Sequence, residues 1–220
     1  MRTTEADKFA REGRTVLGIG VVFLLFSLTQ HWWITSGIFA VFLAFSLYFF
    51  RNPQRVPKGE ERDVLSPADG KVIQNEIVYD DRYLKKRCRK IGIFMSLFDV
   101  HVNRTPVTGT VEAIEYHPGK FVSANLDKAS EDNEQNALII KEKSGIRICV
   151  VQIAGLIARR IVCYPIVGSQ IERGTIFGMI KFGSRLDVYL PEDSTVHVQR
   201  GEKVHAGETI IATLPGEAEK

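Results

Sequence analysis

Hydrophobic positions along the chain fall into two textures. From residue 15 to residue 50 apolar side chains run almost unbroken, with no Asp, Glu, Lys or Arg. A single straight helix of that length would span roughly 54 Å, against about 30 Å for the hydrocarbon core of a bilayer. The polar break Thr29-Gln30-His31-Trp32-Trp33 divides the stretch into arms at 16–28 and 34–50, which predicts a helical hairpin that crosses twice or dips in and returns. After a Pro- and Gly-containing linker at 52–59 the period shortens. Runs of strand length, rich in Val and Ile, occur at 71–79, 90–97, 109–116, 137–141, 147–153, 156–164, 175–181, 186–190, 196–199 and 209–214. The predicted fold is therefore all-β, a sandwich or barrel, preceded by an N-terminal apolar helical hairpin. The strands at 175–181 and 186–190 are expected to be neighbours in one sheet, and 121–136, which lacks strand pattern, to be a surface loop bordering a site.

Several turns share a form, in which a glycine (Gly70, Gly109, Gly201, Gly207) precedes or opens a strand. That habit resembles the barrel-sandwich hybrid of biotinyl and lipoyl carriers and of glucose-type phosphocarriers, a likeness of architecture and not of activity. The chain divides into a tail at 1–14, the hairpin at 15–50 and a β-rich body from 51 onward.

Charge adds orientation. Arg2, Lys8, Arg11 and Arg14 precede the first arm, Arg51, Arg55, Lys58 and Arg62 follow the second, and the connector has none. The positive-inside rule then places both ends, and the body, on the cytoplasmic side of the cell membrane. A cleaved signal peptide is the rival reading, opposed by Glu5, Asp7 and Glu12 and by the lack of a small-residue cleavage site. A net charge of only +3 excludes a strongly basic nucleic-acid binder. Cys88, Cys149 and Cys163 have no metal-type spacing and read as buried free thiols; no metal is expected.

Candidate chemistry sits where the strand runs end. Asp69, in Ser66-Pro67-Ala68-Asp69-Gly70, has a simple reading as a turn residue. His101, in Phe98-Asp99-Val100-His101-Val102-Asn103-Arg104-Thr105-Pro106, reads equally well as structural, and His117, in Tyr116-His117-Pro118-Gly119-Lys120-Phe121, as the start of a loop. Gly183-Ser184 between two strand runs is ordinarily a turn or bulge. Together they supply a hydroxyl nucleophile, a base and a carboxylate to orient the base, with Gly183 offering an unhindered carbonyl.

These segments, with Gln152-Ile153-Ala154-Gly155, Ala158-Arg159-Arg160-Ile161 and Phe182-Gly183-Ser184-Arg185, occur in an order that resembles the short, archaeal-type form of the phosphatidylserine decarboxylase proenzyme. The resemblance runs from about residue 51 to 214 and includes the apolar N-terminus. It implies self-cleavage between Gly183 and Ser184, giving a β chain of 1–183 and an α chain of 184–220 headed by a pyruvoyl group derived from Ser184. That group would form a Schiff base with the amine of phosphatidylserine, which loses CO2 to become phosphatidylethanolamine, with His101 as proton donor. Membrane lipids and the paired α and β chains would be the partners; homo-oligomerisation stays open. Long-form members carry a second histidine where this chain has Arg104, which stays protonated, so His101 or His117 would have to supply the base for self-cleavage. Arg185 is a candidate for the lipid phosphate, beside the plainer reading of an exposed strand arginine. The basic run Arg82, Lys85, Lys86, Arg87, Arg89 and Lys90 is a candidate headgroup surface. The alternative function is a membrane-tethered phosphocarrier or carrier domain using His101 and His117, which would never cut itself.

Overall fold

The computed structural model describes residues 3–119, 133–155, 160–181 and 183–216. The chain separates into two compact units, residues 1–54 and 55–220.

In the first unit a short 3-10 turn, Arg11–Gly13, leads into α1 (Arg14–Thr29), and α2 (Trp33–Phe49) returns beside it. His31 makes the turn with φ +57°, a left-handed conformation uncommon for a non-glycine residue. Gly20 lies against Leu43, so that the helices approach closely; Phe23 stacks on Phe39 at 5.3 Å, and the buried hydroxyls of Ser27 and Ser36 share a hydrogen bond of 2.9 Å. The stretch Arg11–Thr29 is long and apolar enough to cross a membrane, whereas Trp33–Phe49 is apolar but shorter. Asp7 holds the tail together: it accepts from Thr4 and Arg11, and the Arg11 hydrogen bond is the main reason its carboxyl is lowered to about 2.

The second unit is mostly β. Its strands are β1 (Asp63–Leu65), β2 (Gly70–Asp80), β3 (Lys86–Met95), β4 (Val102–Arg104), β5 (Gly109–His117), β6 (Gln135–Lys141), β7 (Arg147–Ala154), β8 (Ile161–Cys163), β9 (Gln170–Ile171), β10 (Ile176–Ile180), β11 (Ser184–Pro191), β12 (Thr195–Val196), β13 (Lys203–Val204) and β14 (Ile210–Thr213). Eight form a curled antiparallel half-barrel sheet in the order β13-β2-β3-β11-β7-β6-β5-β9, and two three-stranded sheets, β1-β14-β12 and β4-β10-β8, complete the unit.

All ten predicted runs contain strand. The expected loop at 121–136 lies outside the described residues as far as 132, and β6 already begins at Gln135, two positions before the predicted run. Residues 156–159, the start of another run, are also outside the described residues. One expectation is overturned: β10 pairs with β4 and β8, while β11 pairs with β3 and β7, so the runs on either side of Ser184 belong to different sheets. Apolar content made both runs strands but did not say which partner each would find.

Alternation along β11 sends Leu186, Val188 and Leu190 inward, where they pack with Ile91, Ile93, Leu138, Ile140 and Val150 and with Phe177, Ile180 and Ile211 of the small sheets. Tyr189 faces outward, into a second cluster with Tyr83, Leu84, Cys88 and Cys149. Burial pushes the Cys88 thiol up to about 11 and Cys149 well above its usual value, so both are inert side chains of the packing.

Candidate active site

Ser184 is the first residue of β11, at the point where the chain crosses from the small sheet into the large one. Paired on one side with Met95 and on the other with Ala154, it is completely buried, and its Oγ–H donates to the Met95 sulfur at 3.4 Å. Gly183 makes the crossing with φ +59°. A Cβ there would meet nothing within 4 Å, so it is the left-handed backbone, not lack of room, that favours glycine.

His101 is supplied by the turn between β3 and β4. Asp99 closes that turn by accepting from the backbone N–H and hydroxyl of Ser96 at 2.7 and 2.6 Å. The completely buried imidazole has Nδ1 3.0 Å from the Asp99 carbonyl oxygen. Because a carbonyl only accepts, Nδ1 carries the proton and Nε2 keeps a lone pair, which accepts the Gly183 N–H at 3.4 Å. A neutral histidine thus meets the backbone N–H of Gly183, one peptide unit before the bond that resemblance marks for cleavage.

Asp69 stands elsewhere. Its carboxylate accepts from Arg55 Nη2 and the Ala206 N–H, each at 2.8 Å, and lies 3.4 Å from His205 Nδ1; His101 is not among its partners. Arg55 also donates to Glu208 at 2.7 Å, and Asp63 accepts from Thr213 at 2.8 Å. Apart from the Arg55–Asp69 pair, each of these contacts joins residues before Gly183 to residues after Ser184. Arg104 is buried and donates to the Gly174 carbonyl at 2.9 Å.

The profile of the phosphatidylserine decarboxylase family matches residues 42–212. The chain is 45% identical to the phosphatidylserine decarboxylase proenzyme of Syntrophotalea carbinolica over 205 residues, 93% of this chain and 96% of that one. With the proenzyme of Syntrophus aciditrophicus it shares 47% over 213 residues, 94% of this chain and 99% of that one. With that of Burkholderia mallei it shares 44% over 206 residues, 94% and 95% of the two chains. The chain belongs to the phosphatidylserine decarboxylase family.

Members of this family use a serine-derived pyruvoyl group. The position fits one. Ser184 heads a strand held on both sides, so the new terminus would stay in register after a cut. A pyruvoyl group offers only acceptor oxygens, and nearby Asn103 Nδ2, a buried donor, is spent on nothing stronger than the Met95 sulfur at 3.8 Å. Membership in a self-cleaving family displaces the carrier alternative, and complete burial of His101 is the wrong environment for a phosphocarrier histidine.

The remaining candidates lie on the other face of the sheet. His117 pairs with Gln135, Gln135 with Ile153 and Ile153 with Arg185, a row of directly opposed residues that share the outer face. His117 Nε2 is 3.7 Å from Glu115 Oε2, and the ring borders a hollow of about 450 Å³ with Arg82, Pro118 and Gln135. Arg185, expected at a lipid phosphate or in solvent, is instead fully buried and bound to Asp187 and Gln74. Asp187 in turn pairs with Lys90 at 3.2 Å, and Arg87 pairs with Glu192, so the basic run is partly consumed within the protein. Sequence reasoning passed over Met95 altogether and read Asn103 and Gln152 only as letters in longer motifs, because a methionine or an amide in a strand carries no signal of its own.

Proposed function

We propose that this chain cleaves itself between Gly183 and Ser184 and then decarboxylates phosphatidylserine to phosphatidylethanolamine. The observation that carries the reading is the junction itself, where a left-handed Gly183 precedes a buried Ser184 and presents its N–H to the lone pair of His101. In this proposal the Ser184 hydroxyl, its proton taken by His101 Nε2, adds to the Gly183 carbonyl and displaces the Ser184 nitrogen, turning the amide into an ester with a free amine. Loss of the Ser184 Cα proton expels the Gly183 carboxylate and leaves a dehydroalanine. Its tautomer takes up one water and releases ammonia, leaving the ketoacyl terminus.

A pyruvoyl carbonyl supplies an electron sink for the pair released when a carboxylate leaves as CO2. The protein residues do the rest. His101 holds and returns a proton at Nε2, while the aliphatic inner face excludes water. Asp69, with Arg55, His205 and Glu208, keeps the 37-residue α chain clasped to the β chain. No role in this chemistry is given to His117.

The segments follow the same reading: a tail at 1–14, a membrane hairpin at 15–50, a β chain ending at 183 and an α chain from 184. The hairpin tethers the β-rich unit to the bilayer that contains its substrate, and the basic residues flanking both arms support a cytoplasmic location for that unit. The glycine turns at Gly70, Gly201 and Gly207, all at positive φ, support kinship with barrel-sandwich architectures. Purified protein incubated with phosphatidylserine vesicles should form phosphatidylethanolamine and CO2, and hydroxylamine, which captures carbonyl groups, should stop it. Absence of phosphatidylethanolamine from correctly cut protein would remove the substrate assignment while leaving self-cleavage standing.

A further inference from the structure

Beneath Ser184 the inner face carries a chain of buried carboxamides that the reaction above does not use. Asn136 Nδ2 donates to Gln152 Oε1 at 3.3 Å, and Gln152 Nε2 donates both to Asn103 Oδ1 at 2.9 Å and to the Val162 carbonyl at 3.2 Å. Asn103 Nδ2 then reaches the Met95 sulfur at 3.8 Å, and that sulfur accepts the Ser184 hydroxyl at 3.4 Å. Five strands contribute one residue each: β6, β7, β4, β3 and β11. Asn103, Gln152, Met95 and Ser184 are all completely buried.

The direction of this chain is set by a single obligate acceptor. The Val162 carbonyl can only accept, so Gln152 must turn its Nε2 toward it. Gln152 therefore offers its oxygen to Asn136 and a donor to Asn103. Asn103 must answer with Oδ1, which leaves its own donor end facing Met95 and Ser184. Burying amides in an aliphatic core costs free energy unless they are hydrogen-bonded, so this orientation is strongly held. The sulfur at its end is a soft, weak acceptor. It ties the Ser184 hydroxyl to one rotamer yet releases it easily, as a nucleophile that must surrender its proton to His101 requires.

We propose that Asn103, oriented by Gln152, is a positioning residue for self-cleavage that acts through the Met95 sulfur to hold the Ser184 hydroxyl in its attacking arrangement. This rests on the self-cleavage reading. The relay contains no group that titrates, so it governs the rate and not the pH dependence.

The test follows first-order appearance of the α chain from freshly translated full-length precursor, comparing wild type with Met95→Leu, Asn103→Leu and the double variant. Met95→Leu conserves volume and is expected to fold. Each single substitution should slow cleavage about fivefold to tenfold, the scale of one lost hydrogen bond. The double should be no slower than Asn103→Leu alone, and the pH profile should keep its wild-type shape. Hydroxylamine, which splits the ester formed after serine attack, should restore nothing, because the affected step precedes the ester. The inference is overturned if Met95→Leu cleaves at the wild-type rate, if the two losses multiply, or if hydroxylamine restores wild-type cleavage. Should Asn103→Leu fail to fold, Met95→Leu and its hydroxylamine response decide alone. A wild-type precursor that never cleaves would instead refute the self-cleavage reading itself.

Discussion

On the inner face of β11, Ser184, Leu186, Val188 and Leu190 meet sulfur, amides and aliphatic carbon. One residue along, on the outer face, Arg185 and Asp187 are equally buried but meet each other, Lys90 and Gln74. The same backbone thus carries uncharged polar groups on the side of the scissile bond and formal charges on the other. In a low-dielectric interior a charge beside His101 would bias its protonation, and the base for serine attack must be neutral. The sheet keeps the charges of Arg185, Asp187 and Lys90 off the inner face.

This contrast can be broken from either side. The largest effect is expected from His101→Ala, which removes the only histidine at the junction among the described residues and should slow α-chain formation about a hundredfold or more; cleavage at the wild-type rate would show that the neutral face holds some other base. Next comes the outer face. Arg185→Met leaves Asp187 buried with Lys90 as its remaining described cation and should cost about 3–5 kcal/mol of stability, read as a fall in unfolding midpoint of the Ser184→Ala precursor. An unchanged midpoint would mean the outer charges are not structural. Gly183→Ala forces an alanine into the left-handed region at roughly 1–2 kcal/mol, and cleavage should slow accordingly.

Acidification touches the contacts that join the two chains. Backbone donation from Glu60 is the chief cause that holds Asp63 below 3.8. For Glu208, burial acts to raise the carboxyl, and the Arg55 hydrogen bond and charge outweigh it to hold it below 4.5. Both folded values lie below the unfolded ones, so their contribution is complete above about pH 4.5 and is lost as pH falls through the lower, folded values. The cut protein should therefore lose its α chain more readily below pH 4 than at neutrality, a loss measurable by size-exclusion chromatography; equal retention at both would exclude these carboxylates from the clasp. The smallest effect belongs to His117→Ala, which alters only the outer face and should leave the cleavage rate within about twofold of wild type, well inside one hydrogen bond's worth.

Much of this was legible in the sequence, and the gaps have physical causes. Every predicted strand run contains a strand because Val and Ile alternation reports burial directly. β4 escaped notice because Asn103 and Arg104, polar in the sequence, are buried in the structure by specific bonds to Gln152 and the Gly174 carbonyl. The two runs flanking Ser184 were expected to pair because they are adjacent in sequence, yet pairing is decided by long-range register, which separated them into different sheets. At the site, Gly183, Ser184 and His101 were found from their motifs and do converge. Asp69 was expected beside a histidine and is, but that histidine is His205, from the glycine turn at 201–207, which the sequence marked for its architecture and not for chemistry.

The most direct test is the intact mass of the purified protein under denaturing conditions, beside its Ser184→Ala variant. Two chains splitting after Gly183, with the smaller one lighter by one ammonia than its sequence requires and the variant uncut, is the result this account predicts. A single full-length chain in both samples would contradict it.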